Sequence, residues 1–134
     1  MRILFAIVAA VFVASSALAE EPSAGIENTI QSQVDAFLAE DTATAFSYAS
    51  PNLKRLFGTP ERFGTMVQNG YPMVWAPSEV RFLELRRQGE LLFQKVLFVD
   101  KNGAPHVLEY NMMQTAQGWV IDGVQYLVAP PVGA

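Results

Sequence analysis

Acid–base chemistry in this chain has few places to occur. There is one histidine, His106, and no cysteine. A single histidine cannot build a multi-histidine metal site, so only carboxylates remain as metal ligands. A Ser-His-Asp arrangement would have to use His106, which needs an orienting carboxylate. Glu109 is three residues away, and on a strand that spacing puts the two side chains on opposite faces. The other groups suited to proton transfer are Asp122 and the phenols Tyr48, Tyr71 and Tyr110. No glycine-rich phosphate loop, zinc-binding helix or nucleophile elbow is present. No catalytic residue is assigned on these grounds, and neither a cofactor nor a metal is expected.

A binding pocket is the more economical use of these residues. Tyr48, Tyr71 and Trp75 are candidates for the rim of a pocket mouth, with core packing the plainer alternative. Gln94 and Asn111 are polar interruptions of apolar strands and are candidates for a polar patch inside. Asp122 lies between Ile121 and Gly123, and simple alternation puts it on one face with Val120 and Val124. A buried carboxylate is costly unless paired, so Asp122 either faces solvent or has a specific role. Glu109 shares its face with Val107 and Asn111, a more polar row that suits the outside. The pocket candidates are therefore Tyr48, Tyr71, Trp75, Gln94, Tyr110 and Asp122. Met66, Met73, Met112 and Met113 add soft apolar surface, suited to core packing or an adaptable pocket.

The elements that must position these residues are legible in the periodicity. Ile26, Ile30, Val34, Phe37 and Leu38 recur at three- and four-residue steps, the stripe of an amphipathic helix of about four turns. Its other positions, Gln31 and Gln33 among them, are expected in solvent. Asp41 is placed to cap a helix over Thr42 to Ala49. Ser50-Pro51 starts another, with serine as cap and proline where a missing N–H costs nothing. Leu53, Leu56 and Phe57 are its expected inner side, and Gly58 stops it. Thr59-Pro60-Glu61 repeats the start, with an acid where the helix dipole favours one. Phe63, Met66 and Val67 are then inward, and Gly70 is the expected C-cap. Tyr71-Pro72 predicts an extended exit.

From Ser78 the period becomes two. Strands are predicted over Glu79 to Gln88, Glu90 to Val99, Ala104 to Thr115 and Trp119 to Val128. Asp100-Lys101-Asn102-Gly103 is a strong hairpin signal between the second and third. In the second strand Leu91, Phe93, Leu97 and Val99 point one way and Leu92, Val96 and Phe98 the other. A sheet with one wet face alternates apolar and polar residues; this strand is apolar on both. One face is expected against the helices. The other predicts a homodimer through the outer sheet face, with an aggregation-prone monomer as the alternative.

The first 19 residues read as a secretory signal peptide. Arg2 supplies the positive start, Ile3 to Ala14 the apolar run, and Ala17-Leu18-Ala19 the cleavage site. The run is shorter than the roughly 20 residues a spanning helix needs. Losing Arg2 changes the formal charge from −4 to −5. That balance argues against nucleic acid and against anionic membrane surfaces, and no membrane association is expected after cleavage. Arg81, Arg86 and Arg87 form a local exception that reads as a solvated strand edge. The expected organisation is a signal peptide over 1–19, a flexible lead over 20–25, one domain over 26–129 and a flexible tail over 130–134. The expected location is the periplasm, or secretion.

Helical pieces followed by an antiparallel sheet give the element order of the NTF2-like cone, also called cystatin-like. This is an α+β fold with N-terminal helices on a curved four-stranded antiparallel sheet. The segments AFSYASPNLKRLFGTPERFGTMVQNGYPMV, QKVLFVDKNG and YNMMQTAQGWVIDGV also resemble the bacterial family called domain of unknown function 4864. Ala49-Ser50-Pro51, Phe57-Gly58-Thr59-Pro60, Met66-Val67 with Gly70-Tyr71, and Gly118-Trp119 with Gly123-Val124 carry the likeness. The resemblance covers nearly the whole mature chain. It implies fold and compartment and supplies no catalytic residue. The wider NTF2-like group contains isomerases that use a carboxylate base in the cone with a tyrosine or acid donor. It also contains hydrolases, dehydratases and non-catalytic binding domains, so fold alone does not select among these. The reading favoured here is a non-catalytic exported domain that binds a small apolar ligand or an envelope protein partner. The alternatives are a carboxylate-dependent isomerase or hydrolase and a structural homodimer without ligand.

Overall fold

The computed structural model describes residues 22–127. The expected signal peptide over 1–19 and tail over 130–134 lie outside them. The chain runs through α1 (Pro22–Leu38), α2 (Thr42–Ser47), α3 (Pro51–Phe57), α4 (Pro60–Gly70) and α5 (Pro72–Trp75). Four strands follow: β1 (Glu79–Gln88), β2 (Leu91–Val99), β3 (Pro105–Thr115) and β4 (Gly118–Tyr126). Among these residues no helix is long and apolar enough to cross a membrane.

Helix α1 starts at Pro22, four residues before the expected Ile26, so the lead over 20–25 is helical from Pro22 onward. Ile26, Ile30, Val34 and Phe37 are buried as the stripe predicts, but Leu38 is 52% exposed and Ala36 is buried instead. Gln33 and Thr29 are also buried. Gln33 Nε2 donates to the Ala45 carbonyl at 3.1 Å, and Thr29 Oγ1 donates to the Trp119 carbonyl at 3.2 Å. The predicted wet glutamine face is therefore only partly wet, because a buried amide is tolerated where it has a partner.

The helix starts follow their caps. Asp41 Oδ1 accepts from the Thr44 N–H at 3.1 Å, and Oδ2 from its hydroxyl at 2.6 Å. Ser50 Oγ accepts from the Leu53 N–H, and Thr59 Oγ1 from the Arg62 N–H, both at 3.2 Å. Helix α2 ends at Ser47 because the next residues join the sheet. The Ser50 N–H donates to the Ile121 carbonyl at 2.7 Å, and the Ile121 N–H to the Tyr48 carbonyl at 2.9 Å. This parallel bridge at Ala49 and Ile121 covers part of the β4 edge. Leu56 is 73% exposed, not inward, which leaves Leu53 and Phe57 as the packed side of α3. Gly58 ends α3 at φ 80°, in the left-handed region. Gly70, by contrast, is the last helical residue of α4, and Tyr71 is the cap. Tyr71, at φ −138° and ψ 57°, is not extended, and Pro72 opens the one-turn helix α5 where an extended exit is predicted from the sequence.

The sheet is open and antiparallel, in the order β1-β2-β3-β4. Consecutive strands are joined by turns with glycine at positive φ, at Gly89, Gly103 and Gly118. In the β2–β3 hairpin Asp100 Oδ1 accepts from the Asn102 and Ala104 N–H groups, both at 2.9 Å. On β2 the side chains of Leu92, Gln94, Val96 and Phe98 are buried, while Leu91, Phe93, Lys95, Leu97 and Val99 are not. The row containing Gln94 is therefore the inner face. With Leu108, Tyr110, Met112 and Ile121 it packs against Ile26, Ile30, Val34, Phe37, Phe63, Val67, Met73 and Val74 of the helices.

Two register shifts interrupt the sheet, between Phe82 and Leu85 on β1 and opposite Asn111 and Met112 on β4. A bulge adds a residue to one strand and reverses which face the following side chains take.

Candidate functional site

The helical layer does not close completely on the sheet. A cavity of about 200 Å³ remains between Tyr110 and Ile121 of the inner face and α1, α3, α4 and α5. Gly123 and Val124 complete its sheet side. Phe37 comes from α1, Leu53 and Phe57 from α3, Phe63, Met66 and Val67 from α4, and Val74 from α5. Tyr71 reaches in from the α4–α5 junction. The rings pack on one another: Phe63 lies 5.8 Å from Phe37, 5.4 Å from Phe46 and 5.5 Å from Phe57. Tilted aromatic pairs at such distances are attractive beyond their buried area, so this wall is held by α1, α2, α3 and α4 together.

The polar atoms of the wall differ sharply in how they are satisfied. Gln33 donates to the Ala45 carbonyl at 3.1 Å. Tyr71 donates to the Val124 carbonyl at 3.3 Å, and its ring stacks on Tyr126 at 4.9 Å with 2° between the planes. Tyr126 in turn donates to the Gly70 carbonyl and sits 3.5 Å from Met73 Sδ. Tyr110 is fully buried, and its hydroxyl has no partner among the described residues. Burial pushes its phenol far above the ordinary tyrosine value, with Tyr71 adding to the shift. It therefore stays protonated at any physiological pH. Among the described residues no carboxylate and no basic side chain lines this cavity.

Of the six candidates, the fold brings Tyr71 and Tyr110 together on the cavity wall and sends the other four elsewhere. Trp75 packs behind the wall, 5.5 Å from Phe37. Tyr48 contributes its backbone carbonyl to the bridge with β4. Gln94 is an internal brace of the β1 bulge, its Nε2 donating to the carbonyls of Leu83 at 3.0 Å and Lys95 at 2.9 Å. Asp122 sits at the β4 bulge, and its Oδ1 accepts from the Ser50 hydroxyl at 2.6 Å. It therefore ties α3 to the sheet and lies on a separate open groove of about 750 Å³ near Trp119 and Pro22. The expected face shared by Val120, Asp122 and Val124 does not form. Val124 pairs with the inward Tyr110, whereas Val120 pairs with Met113, beyond the register shift.

The two remaining titratable candidates are also placed. His106 Nε2 lies 2.9 Å from Asp100 Oδ2 at the hairpin, and that contact holds the Asp100 carboxyl below its ordinary range. Glu109 is on the outer face, opposite Lys95 and Gln125, so His106 and Glu109 do lie on opposite faces. Glu109 is only 3% exposed. Arg86 holds it through two bonds of 2.7 and 3.1 Å, and Gln125 adds one of 3.2 Å. The Arg86 guanidinium lies 4.2 Å above the Phe93 ring. This arrangement keeps the Glu109 carboxyl below its ordinary range, chiefly through the Arg86 hydrogen bond. A carboxylate beside a tyrosine inside the cavity, which the isomerase reading requires, is thus not formed by Asp122 or Glu109. The wall residues Phe57, Phe63 and Met66 read in sequence as helix core; their aromatic and sulfur content was the one available signal that they border a cavity.

Over residues 19–134 the chain matches the profile of the family described as Domain of unknown function (DUF4864). Comparison with curated proteins finds no match. Among solved structures it is similar to an NTF-2 like protein of unknown function from Shewanella oneidensis MR-1, at 13% identity and a TM-score of 0.51. The alignment covers 78% of this chain and 98% of the other. At that identity the likeness speaks for the fold, which agrees with helices laid on one face of an open four-stranded antiparallel sheet. The chain belongs to the DUF4864 family and has the NTF2-like fold.

Proposed function

We propose that this chain is an exported, non-catalytic domain that binds a small apolar ligand between its helices and its sheet. The observation that carries this reading is the apolar cavity of about 200 Å³ bounded by Phe37, Phe57, Phe63 and Tyr110. Protein interiors pack nearly without voids. At about 24 cal/mol per Å³, an empty enclosed space of about 200 Å³ costs on the order of 5 kcal/mol. That is an upper bound here, because the cavity is partly open. It is still comparable with the low end of a whole domain's stability, about 5 kcal/mol. A ligand that fills the space recovers contacts the wall otherwise lacks. Export is supported by Arg2, the apolar run after it and Ala17-Leu18-Ala19; the family match also begins at residue 19.

A second copy of the chain is the partner we propose for the outer sheet face. Phe93, Leu97 and Val99 give it an apolar row that is not fully buried. Its charges are balanced in pairs: Glu79 with Arg81 at 2.8 Å, Glu84 with Lys95 at 2.6 Å and Glu109 with Arg86 at 2.7 Å. The chain as a whole is acidic, at −4, yet this face meets its own copy without like-charge repulsion.

Native mass spectrometry of the protein purified from the periplasm without denaturation tests all three statements. The expected species is a dimer of chains that start at Glu20, with a discrete extra mass that denaturation releases. A bare protein that an apolar probe such as toluene also fails to stabilise thermally overturns the ligand reading. A monomer at tens of micromolar overturns the dimer, and an unprocessed chain overturns export.

A further inference from the structure

The formal charge of the whole chain, −4, weighs against an anionic surface as partner, but the fold does not spread that charge evenly. Helices α3 and α4 with the turn between them carry Lys54, Arg55 and Arg62 against one acid, Glu61. Among the described residues, three of the other five basic side chains are paired with carboxylates: Arg81, Arg86 and Lys95. None of the three on α3 and α4 forms an ion pair there, and Arg55 donates to the neutral Asn52 side chain. Between these cations Leu56 is 73% exposed, more than any other large apolar side chain described. We infer that this tip docks the domain on an anionic lipid surface.

Helix geometry makes the patch continuous. Leu53 and Phe57 face the core and the cavity. At about 100° per residue, Lys54, Arg55 and Leu56 then cover the outer arc of α3, and all three are exposed. Arg62 lies over the end of that helix, its Nη1 3.9 Å from where a Cβ on Gly58 would stand. An exposed leucine among cations suits the boundary between headgroups and acyl chains, where the apolar group inserts and the cations meet phosphates. A purely structural role covers only part of the patch. Lys54 and Arg55 are in the last turn of α3, where the helix dipole favours cations. Arg62 is in the first turn of α4, where the dipole disfavours one, and Leu56 gains nothing from either. The patch also adjoins the cavity mouth. Of the cavity's lining, Leu53, Phe57, Met66, Tyr71, Gly123 and Val124 keep part of their surface while the rest are buried. The opening therefore lies between α3–α4 and β4, with α3 as one lip. Docking through the outer arc of α3 brings that opening within about one helix diameter, roughly 10 Å, of the lipid. The docking itself goes beyond the ligand reading and does not rest on it.

The test is sedimentation of the purified protein with vesicles of phosphatidylcholine, alone or with about one third phosphatidylglycerol, at low and at physiological salt. Wild type is expected to bind the anionic vesicles reversibly, to lose much of that binding at the higher salt, and to leave the neutral vesicles alone. A lysine or arginine at an anionic surface contributes about fivefold in partitioning, so Lys54→Gln with Arg55→Gln is expected to weaken binding about thirtyfold. The charge-matched control, Arg87→Gln with Lys101→Gln, alters two exposed residues away from the tip and is expected to bind like wild type. Leu56→Ser leaves every charge in place and is expected to weaken binding about fivefold. Urea midpoints check that the variants fold. If α3 does not tolerate the paired change, Arg62→Gln repeats the test from α4, with an expected loss of about fivefold. Wild type that fails to bind anionic vesicles at low salt overturns the inference. So does equal loss in the control, which reduces binding to net charge, and so does equal binding to neutral vesicles. None of these outcomes decides whether the cavity holds a ligand, which the retained mass reads separately.

Discussion

Glu109 and Tyr110 are neighbours on β3, yet they belong to opposite faces of the sheet and to opposite physical regimes. Glu109 is 3% exposed and carries three hydrogen bonds from Arg86 and Gln125. Tyr110 is fully buried and carries none through its hydroxyl. The outer face thus satisfies an ion, the group most expensive to bury, while the inner face leaves a cheaper neutral group unsatisfied. The difference teaches where the fold falls short of closing on itself. On the outside Glu79, Glu84 and Glu109 each have a base, although the neutral Asn111 Oδ1 there is buried without a partner among the described residues. On the inside the Tyr110 hydroxyl is sealed behind a cavity whose other polar side chains, Gln33 and Tyr71, are already engaged.

The largest test of this contrast is truncation of one phenylalanine from each face. Phe98 is fully buried and 6.2 Å from the Tyr110 ring. Phe98→Ala is expected to cost about 3–5 kcal/mol, as buried aromatic truncations do. Phe93 is only partly buried, beneath Arg86. Phe93→Ala is expected to cost about 1–2 kcal/mol for its partial burial and cation–π contact. Urea unfolding at low protein concentration reads both. Equal losses would erase the distinction between the faces.

Glu109→Gln sharpens the outer side. Because the carboxyl pKa is depressed in the folded state, the unfolded chain binds the proton first as pH falls. The stabilisation is present above the ordinary glutamate value of about 4.3 and is lost as pH drops through the folded value. Glu109→Gln is expected to lower stability at pH 7 by about 1–2 kcal/mol and to flatten the acid limb between about pH 4 and the onset of acid unfolding. Urea midpoints across pH 3–7 check this, and an unchanged acid limb would show that Glu109 is already solvated.

The smallest effect is the most informative about the inner side. Tyr110→Phe removes a hydroxyl that has no partner, so stability at neutral pH is expected to rise by about 1 kcal/mol. The phenol pKa is raised in the folded state. Its contribution is therefore complete below the ordinary value of about 10 and lost as pH climbs above it, by about 1.4 kcal/mol per pH unit. Wild type is expected to lose stability steeply above about pH 10, and Tyr110→Phe to lose less. Destabilisation by Tyr110→Phe at pH 7 would mean the hydroxyl is well bonded in solution and the contrast between the faces is false.

Much of the helical layer is visible in the sequence because caps are local. Asp41, Ser50-Pro51 and Thr59-Pro60 act within three residues of themselves, and each helix starts where they place it. Stops were less legible: Gly58 ends α3 in the left-handed region, but Gly70 remains helical because Tyr71 takes the cap. Alternation sorts β2 into two apolar rows without saying which is inner; packing buries the row of Leu92, Val96 and Phe98, and Gln94 on it is tolerated because its amide nitrogen braces a bulge that no local pattern announces. Close packing was hidden as well. A methyl group at Gly64 would sit 2.6 Å from Thr42 Cγ2, a contact between two helices that neither segment shows alone.

By itself, the sequence determined the element order, the helix starts and the α+β fold class, since periodicity and capping depend on neighbours in the chain. Only the tertiary structure decided which tyrosine was left without a partner. Tyr71, Tyr110 and Asp122 are equivalent candidates on paper. The β4 register shift shifts Val120 out of the row of Val124, Ser50 reaches 72 positions along the chain to bind Asp122, and the Val124 carbonyl takes the hydroxyl of Tyr71. Hydrogen-bond satisfaction is a property of distances between segments, and those distances exist only once the chain has folded.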